Sequence, residues 1–234
     1  MINSTTFLQQ LQSEAQFNQN LHEQVAAICE RVKNEGDRAL FDYNKQFDHV
    51  QVQSLEIPRS ELEQALTNLE PELKAALQHS HQRIEHYQQQ IKYQQQNTTQ
   101  ELYEVYYPIE SVGIYVPGGK ASYPSTVLMT ATLAKVANVK NIIVVTPPQT
   151  NGIAQSVLAA CAIAGVDRVY QVGGAQSIAA LAYGTETIPK VDKIVGPGNQ
   201  YVAYAKKYLY GEVGIDQIAG PSEIALIIDT HSDM

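Results

Sequence analysis

The chain has 234 residues, 44% of them hydrophobic, enough for one large domain or two small ones with a real core. Its formal charge of -8 at pH 7, with no Lys/Arg run or basic stripe, excludes a protein that grips nucleic acid or acidic lipid by counterion release and favours a small-molecule partner. Two cysteines imply no disulfide framework, and no apolar run approaches membrane-spanning length, so a soluble, cytoplasmic protein is expected, without nucleic-acid or membrane partners.

In chain order, residues 1 to about 100 read as helices. Leu21, Val25, Ile28 and Val32 make an apolar stripe at helical spacing that stops at Gly36, a residue suited to a helix C-terminus. A short helix is expected over 37–47, followed over 50–57 by an alternating stretch that suits an edge strand. Ser60 and Glu63 have capping-box spacing and are expected to open the next helix. Pro71 starts a long one in which Leu73, Leu77, Ile84 and Ile91 face inward, while glutamines at 88–90 and 94–96 form a solvated end. His79, His81, Glu85 and His86 on that helix suggest a metal site at first sight. No third ligand converges at helical spacing, so ordinary surface residues are the better reading.

A polar break over 97–100 leads to two expected strands, 102–107 and 111–116, parted by Pro108. Further strands are expected over 141–146, 168–172, 193–195 and 223–229, with helices between them over 124–137, 153–164, 175–183 and 199–210. Near-continuous Val/Ile runs suit strands buried on both faces. Cys161 shares a helical face with Ile153, Val157 and Ala164, which makes it a core thiol, and Cys29 lies in a similar pattern. The expected fold class is α/β: a mostly parallel, Rossmann-like sheet with flanking helices, right-handed crossovers, and ligands beyond the carboxyl ends of the strands. Residues 108–234 are expected to form this domain, and residues 1–107 a helical region belonging to a second, incomplete one.

Four glycine-containing loops fall at those strand ends. In the first, Gly118 and Gly119 let backbone N–H groups approach a ligand, and Tyr115 offers a flat face and a phenol to a ribose or a ring. The same glycines also suit a plain strand-to-helix turn, and the loop is not the G-x-G-x-x-G fingerprint. Gln176, in the first turn after Val172-Gly173-Gly174-Ala175, presents an amide to a cofactor edge. Asn199, closing Gly196-Pro197-Gly198, suits an N-cap and a ligand contact equally. Ser222 and Glu223, in the fourth loop, are expected in the cleft, with Ser222 contacting substrate. No G-x-S-x-G elbow surrounds Ser222, which argues against a serine hydrolase. Asp229, His231 and Asp233 read as an acidic terminus rather than a metal cluster.

Taken together, GIYVPGGKASYPSTVLMTA, VGGAQSIAALAYGT, VGPGNQYVAYAKK and AGPSEIALIID resemble the histidinol dehydrogenase family, in order from about 108 to 229. The Gly-Asp-Arg-Ala-Leu segment at 36–40 is also similar to that family. The resemblance implies NAD contacted by Tyr115, Gln176 and Asn199, and substrate contacted by Ser222. It implies a four-electron oxidation of L-histidinol to L-histidine through the aldehyde, the last steps of histidine biosynthesis, with two NAD used in succession. It further implies a zinc held by Gln, His, Asp and His, a histidine base beside a glutamate, and a homodimer whose active site borrows residues across the interface. Those zinc and base residues belong beyond the serine motif. The expectation is therefore a partial chain with no catalytic or metal-binding residue of its own, inactive alone, with zinc only in the full-length protein. Two other readings stay open: a non-catalytic nucleotide-binding module, and an aldehyde dehydrogenase relative, which needs a nucleophilic cysteine in the cleft.

Overall fold

The structure, a computed structural model, describes residues 4–93, 103–119 and 121–218 with the isolated positions 225 and 228, and side chains from residue 19 onward. The N-terminal stripe forms α1 (Ser4–Glu35) and breaks at Gly36 into α2 (Asp37–Phe47). The stretch over 50–57 narrows to β1 (Glu56–Ile57). Next comes α3 (Arg59–Asn68), where the expected capping box fails: Pro58 is the N-cap, its carbonyl accepts from the Glu61 N–H at 2.9 Å, and Ser60 lies inside the first turn. Proline fits there because its fixed φ and missing N–H cost a helix start nothing. In α4 (Pro71–Ile91), Glu70 caps by accepting from the Glu72 and Leu73 N–H groups. Of its four expected inward residues only Leu77 is buried. Ile84 packs at the core's edge, while Leu73 and Ile91 stand 40% and 54% exposed, because α4 touches its neighbours along a narrow seam.

Residues 104–109 form no strand, contrary to the reading of 102–107; Leu102 itself lies outside the described residues. From there the α/β pattern is regular: β2 (Ser111–Tyr115), α5 (Pro124–Val136), β3 (Asn141–Thr146), α6 (Gln155–Ile163), β4 (Arg168–Gln171), α7 (Gly174–Tyr183), β5 (Lys193–Val195) and α8 (Gln200–Tyr208). A two-residue strand that the sequence did not announce, β6 (Gly214–Ile215), follows. The expected strand over 223–229, with Ser222, Glu223, His231 and Asp233, lies outside the described residues apart from Ala225 and Ile228.

The six strands run in the order β1-β4-β3-β2-β5-β6, all parallel except β1, which pairs antiparallel with β4 through Glu56–Tyr170 and Ile57–Val169. Strand alternation then builds two cores. Ile114, Ile142, Val144 and Val169 face α3, α4, α5 and α6, whereas Tyr115, Ile143, Val145 and Tyr170 face α1, α2, α7 and α8. Residues on both sides of position 107 share these cores: α3 packs on α6, α4 on α5, and α1 on α7 and α8. His81 links α4 to α5 through Thr132 at 2.9 Å.

One glycine fixes how closely a helix lies on the sheet. A Cβ at Gly113, in the middle of β2, would sit 2.7 Å from Leu181 Cδ1 of α7, whose side chain is fully buried. Gly113→Ala is therefore expected to lose about 1–3 kcal/mol in urea unfolding, and adding Leu181→Val should recover part of that loss. An unchanged midpoint would show that α7 can move away freely.

Candidate functional site

The chain adds β3 and β4 on one side of β2, then crosses to add β5 on the other. The loops leaving β2 and β5 diverge to opposite faces, so a crevice opens beyond their carboxyl ends. A cleft of about 730 Å³ lies at this position. Its floor is Tyr115, Pro147, Gly174, Ala175, Gln176, Asn199 and Tyr201, drawn from the loops after β2, β3, β4 and β5. Its opposite wall is unexpected from the sequence: Gln24, Ile28 and Arg31 of α1, and Tyr43, Phe47 and Asp48 at the end of α2.

Three of the residues singled out by the sequence thus meet. Tyr115 is 3% exposed, and its hydroxyl accepts the Gly174 N–H at 3.3 Å. Burial chiefly pushes this phenol up to about 12, with Asp48 adding to the rise, so it stays a neutral donor. Gln176 is buried and curls back over Gly174, where a Cβ would lie 2.6 Å from its Oε1. Asn199 caps α8, its Oδ1 accepting the Val202 N–H at 3.2 Å, so the capping role is realised at the cleft's edge. Gly118 packs on Pro147, with a Cβ position 3.3 Å from that ring, and Gly119 faces open space; neither lines the cleft. Ser222 lies outside the described residues.

Two charged features escaped the sequence reading. Lys206 of α8 is 4% exposed; its Nζ donates to the Gly196 carbonyl at 2.9 Å and pairs with Asp216, whose other oxygen accepts the Gly196 N–H at 2.9 Å. Both polar groups of Gly196 are thereby fixed from one ion pair. Nothing in the sequence joins Lys206 to Asp216 except a strand too short to recognise. The second feature is Asp48, at the C-terminal cap of α2, which lines the cleft and whose Oδ2 is enclosed without a hydrogen-bond donor. Arg31, the cation across the wall, is already engaged by Glu35 and Asp42 and lies over the Tyr43 ring. Burial raises the Asp48 carboxyl to about 6, with the adjacent His49 opposing the rise.

Cys29 and Cys161 are both fully buried, and desolvation pushes each thiol up to about 12. Cys161 belongs to the core on the far side of the sheet from the cleft. Cys161, the cysteine that the aldehyde dehydrogenase reading would have needed in the cleft, is a core thiol, as its helical face predicts. Among the described residues, no three His, Cys, Asp or Glu side chains converge as a metal site.

Residues 11–234 match the family model for histidinol dehydrogenase. Over its whole length the chain is 64% identical to histidinol dehydrogenase of Staphylococcus saprophyticus and 63% identical to that of Staphylococcus epidermidis, spanning 55% and 57% of those proteins. The crystal structure of histidinol dehydrogenase from Elizabethkingia anophelis superposes with a TM-score of 0.82 at 39% identity, over 86% of this chain and 48% of that one. The chain therefore spans about half the length of the relatives it matches.

Asp48 gives a signed dependence on pH. Above pH 6 the carboxylate is charged both folded and unfolded, and only the folded state bears the cost of burying it. As pH falls from 6 towards 3.8 the folded state takes up the proton first, and the cost disappears. Asp48→Asn is expected to gain about 1 kcal/mol at pH 7.5, a value discounted for partial exposure, and this advantage should shrink as pH falls below 6. Urea unfolding across that range checks it; an advantage that grows on acidification contradicts the assignment.

Proposed function

The chain belongs to the histidinol dehydrogenase family, and from that premise we propose that it carries the NAD-facing wall of an enzyme oxidising L-histidinol to L-histidine through the aldehyde, using two NAD in succession. The observation that carries this reading is the convergence of Tyr115, Gln176 and Asn199, from the end of β2, the first turn of α7 and the N-cap of α8, on one cleft at the point where the sheet reverses its strand order. Its volume and its mixture of aromatic faces with a few amide groups suit a dinucleotide.

NAD, when bound, supplies the hydride acceptor. The protein groups do the rest of the holding. Gln176 and Asn199 supply directional amides, and the rings of Tyr43 and Tyr201 supply flat apolar surface. Tyr115, neutral and locked to the start of α7, positions that helix end under the ligand. Ser222 is proposed as a substrate contact. The described residues provide no zinc ligand set, so none of the metal's chemistry is assigned to them.

The homodimer, the cytoplasmic setting and a second domain shared by residues 1–107 are further parts of this proposal. The second domain draws its support from the exposed side chains of Tyr103, Tyr107 and Ile109 before β2, since α1 to α4 pack on the sheet and its helices. No helix among the described residues is long and apolar enough to cross a membrane.

Titration calorimetry of the chain with NAD tests the reading. Gln176→Ala, and Asn199→Ser, which keeps the cap while deleting the amide, should each weaken binding by roughly tenfold. Affinity that is indifferent to both changes removes the proposed role of the cleft.

A further inference from the structure

An ion pair inside a fold is weak evidence of stability, because the desolvation of two charges offsets most of their attraction and well-packed apolar residues of the same volume would serve the core as well. What charged groups supply that apolar ones cannot is direction. Lys206, 4% exposed, and Asp216 aim theirs at a single residue. The Lys206 ammonium donates to the Gly196 carbonyl at 2.9 Å, and Asp216 accepts the Gly196 N–H at 2.9 Å. Asp216 is itself held to the sheet, its N–H donating to the Ile194 carbonyl of β5 at 3.2 Å, while its second oxygen accepts the Gln217 N–H at 2.7 Å.

Lys206, Asp216 and Gly196 do not line the cleft, so any effect of the pair on a ligand passes through the backbone. The path is short. Asn199, which does line it, lies three residues beyond Gly196. Between them Pro197 has its φ fixed by its ring, and Gly198 lies so close to α8 that a Cβ would overlap the Val202 side chain. Asn199 in turn accepts the Val202 N–H at 3.2 Å. The one freely turning residue of this loop is Gly196, whose φ of 111° lies in a region that glycine leaves as readily as it enters. Fixing both of its polar groups fixes the direction in which the chain sets out towards Asn199.

We propose that Lys206 and Asp216 are positioning residues for nucleotide binding: by orienting the Gly196 peptide they hold Asn199 where it meets the ligand, without touching the ligand themselves. The proposal rests on the reading of the cleft as an NAD site. Its physical basis is preorganisation, since a loop ordered before association loses no further freedom when the nucleotide arrives. Lys206 is not a phosphate anchor in this assignment. With Asp216 in contact, the pair presents no net charge to an anionic cofactor.

The test is calorimetric titration of the chain with NAD at pH 7.5, beside thermal unfolding of the same samples, for the wild type and two variants. Lys206→Met removes the donor to the Gly196 carbonyl and keeps an unbranched apolar stem. The double variant Lys206→Met/Asp216→Asn also removes the stranded carboxylate, keeps an acceptor for the Gly196 N–H and restores the wild-type net charge. Lys206→Met should weaken NAD binding roughly five- to tenfold and lower the melting temperature by roughly 4–8 °C. The double variant should regain most of that melting temperature while its NAD affinity stays at least about threefold below wild type, a separation that a merely structural pair does not produce. Affinity that returns together with stability in the double variant overturns the proposal, since folding or net charge then explains the loss. If Lys206→Met keeps wild-type affinity while Asn199→Ser still weakens NAD, this proposal fails and the cleft reading survives. If the wild-type chain does not bind NAD, both fall. Should Lys206→Met not fold, the double variant decides by the same two readouts.

Discussion

The contact on which the cleft depends is the approach of two backbones at Gly196. Its Cα lies so close to the end of β2 that a Cβ would overlap the Tyr115 carbonyl oxygen, and its φ of 111° is one that only glycine adopts readily. Lys206 and Asp216 hold this glycine by its carbonyl and its N–H, and because Lys206 is buried the pair is shielded from competing water. Tyr115 leaves β2 on one side of this contact and Asn199 caps α8 on the other. Their relative position is therefore set by an ion pair that touches neither side chain.

The second half of the cleft comes from the helices that precede the sheet. α1 and α2 are not a separate appendage in the described residues; their stripe of Leu21, Val25, Ile28 and Val32 fills the same core as α7 and α8. Asp37 and Glu186 tie the start of α2 to the loop after α7, Glu186 accepting the Asp37 N–H at 2.8 Å. At the far end of α2, Asn44 donates to the Gln171 carbonyl of β4 at 2.9 Å. A helix pinned at both ends presents Asp48 at a fixed place.

Much of this was legible in the sequence for identifiable reasons. Val/Ile runs over 141–146 and 193–195 mark buried parallel strands, and the glycine loops after them mark the carboxyl edge. Apolar periodicity gave α2, α5, α6 and α7 to within a residue or two. Periodicity says which face of a helix is apolar but not what will cover it, so α1 and α2 could be read as helices without being seen as a cleft wall. The same limit explains Leu73 and Ile91, apolar at the right spacing yet left outside the seam. Ser60 misled because a capping box and a proline start compete within two residues, and the proline's fixed φ prevailed. Gly214–Ile215 is too short to carry any period, which concealed both β6 and the partner of Lys206. Asp48 drew no notice because a carboxylate becomes exceptional only through its surroundings, and those are supplied by residues far along the chain.

That distance has a kinetic meaning. Asp48 and Asn199 are 151 positions apart, by subtraction of their numbers, and line one cleft although five strands, β1 to β5, lie between them in the chain. Contacts of such high sequence separation form late, since loop-closure entropy must be met before they return anything. During synthesis α1 and α2 emerge first and hold an apolar stripe with nothing to cover it until α7 and α8 arrive. The cleft is thus closed by contacts of long sequence range, and a chain whose sheet has not assembled through β5 lacks it.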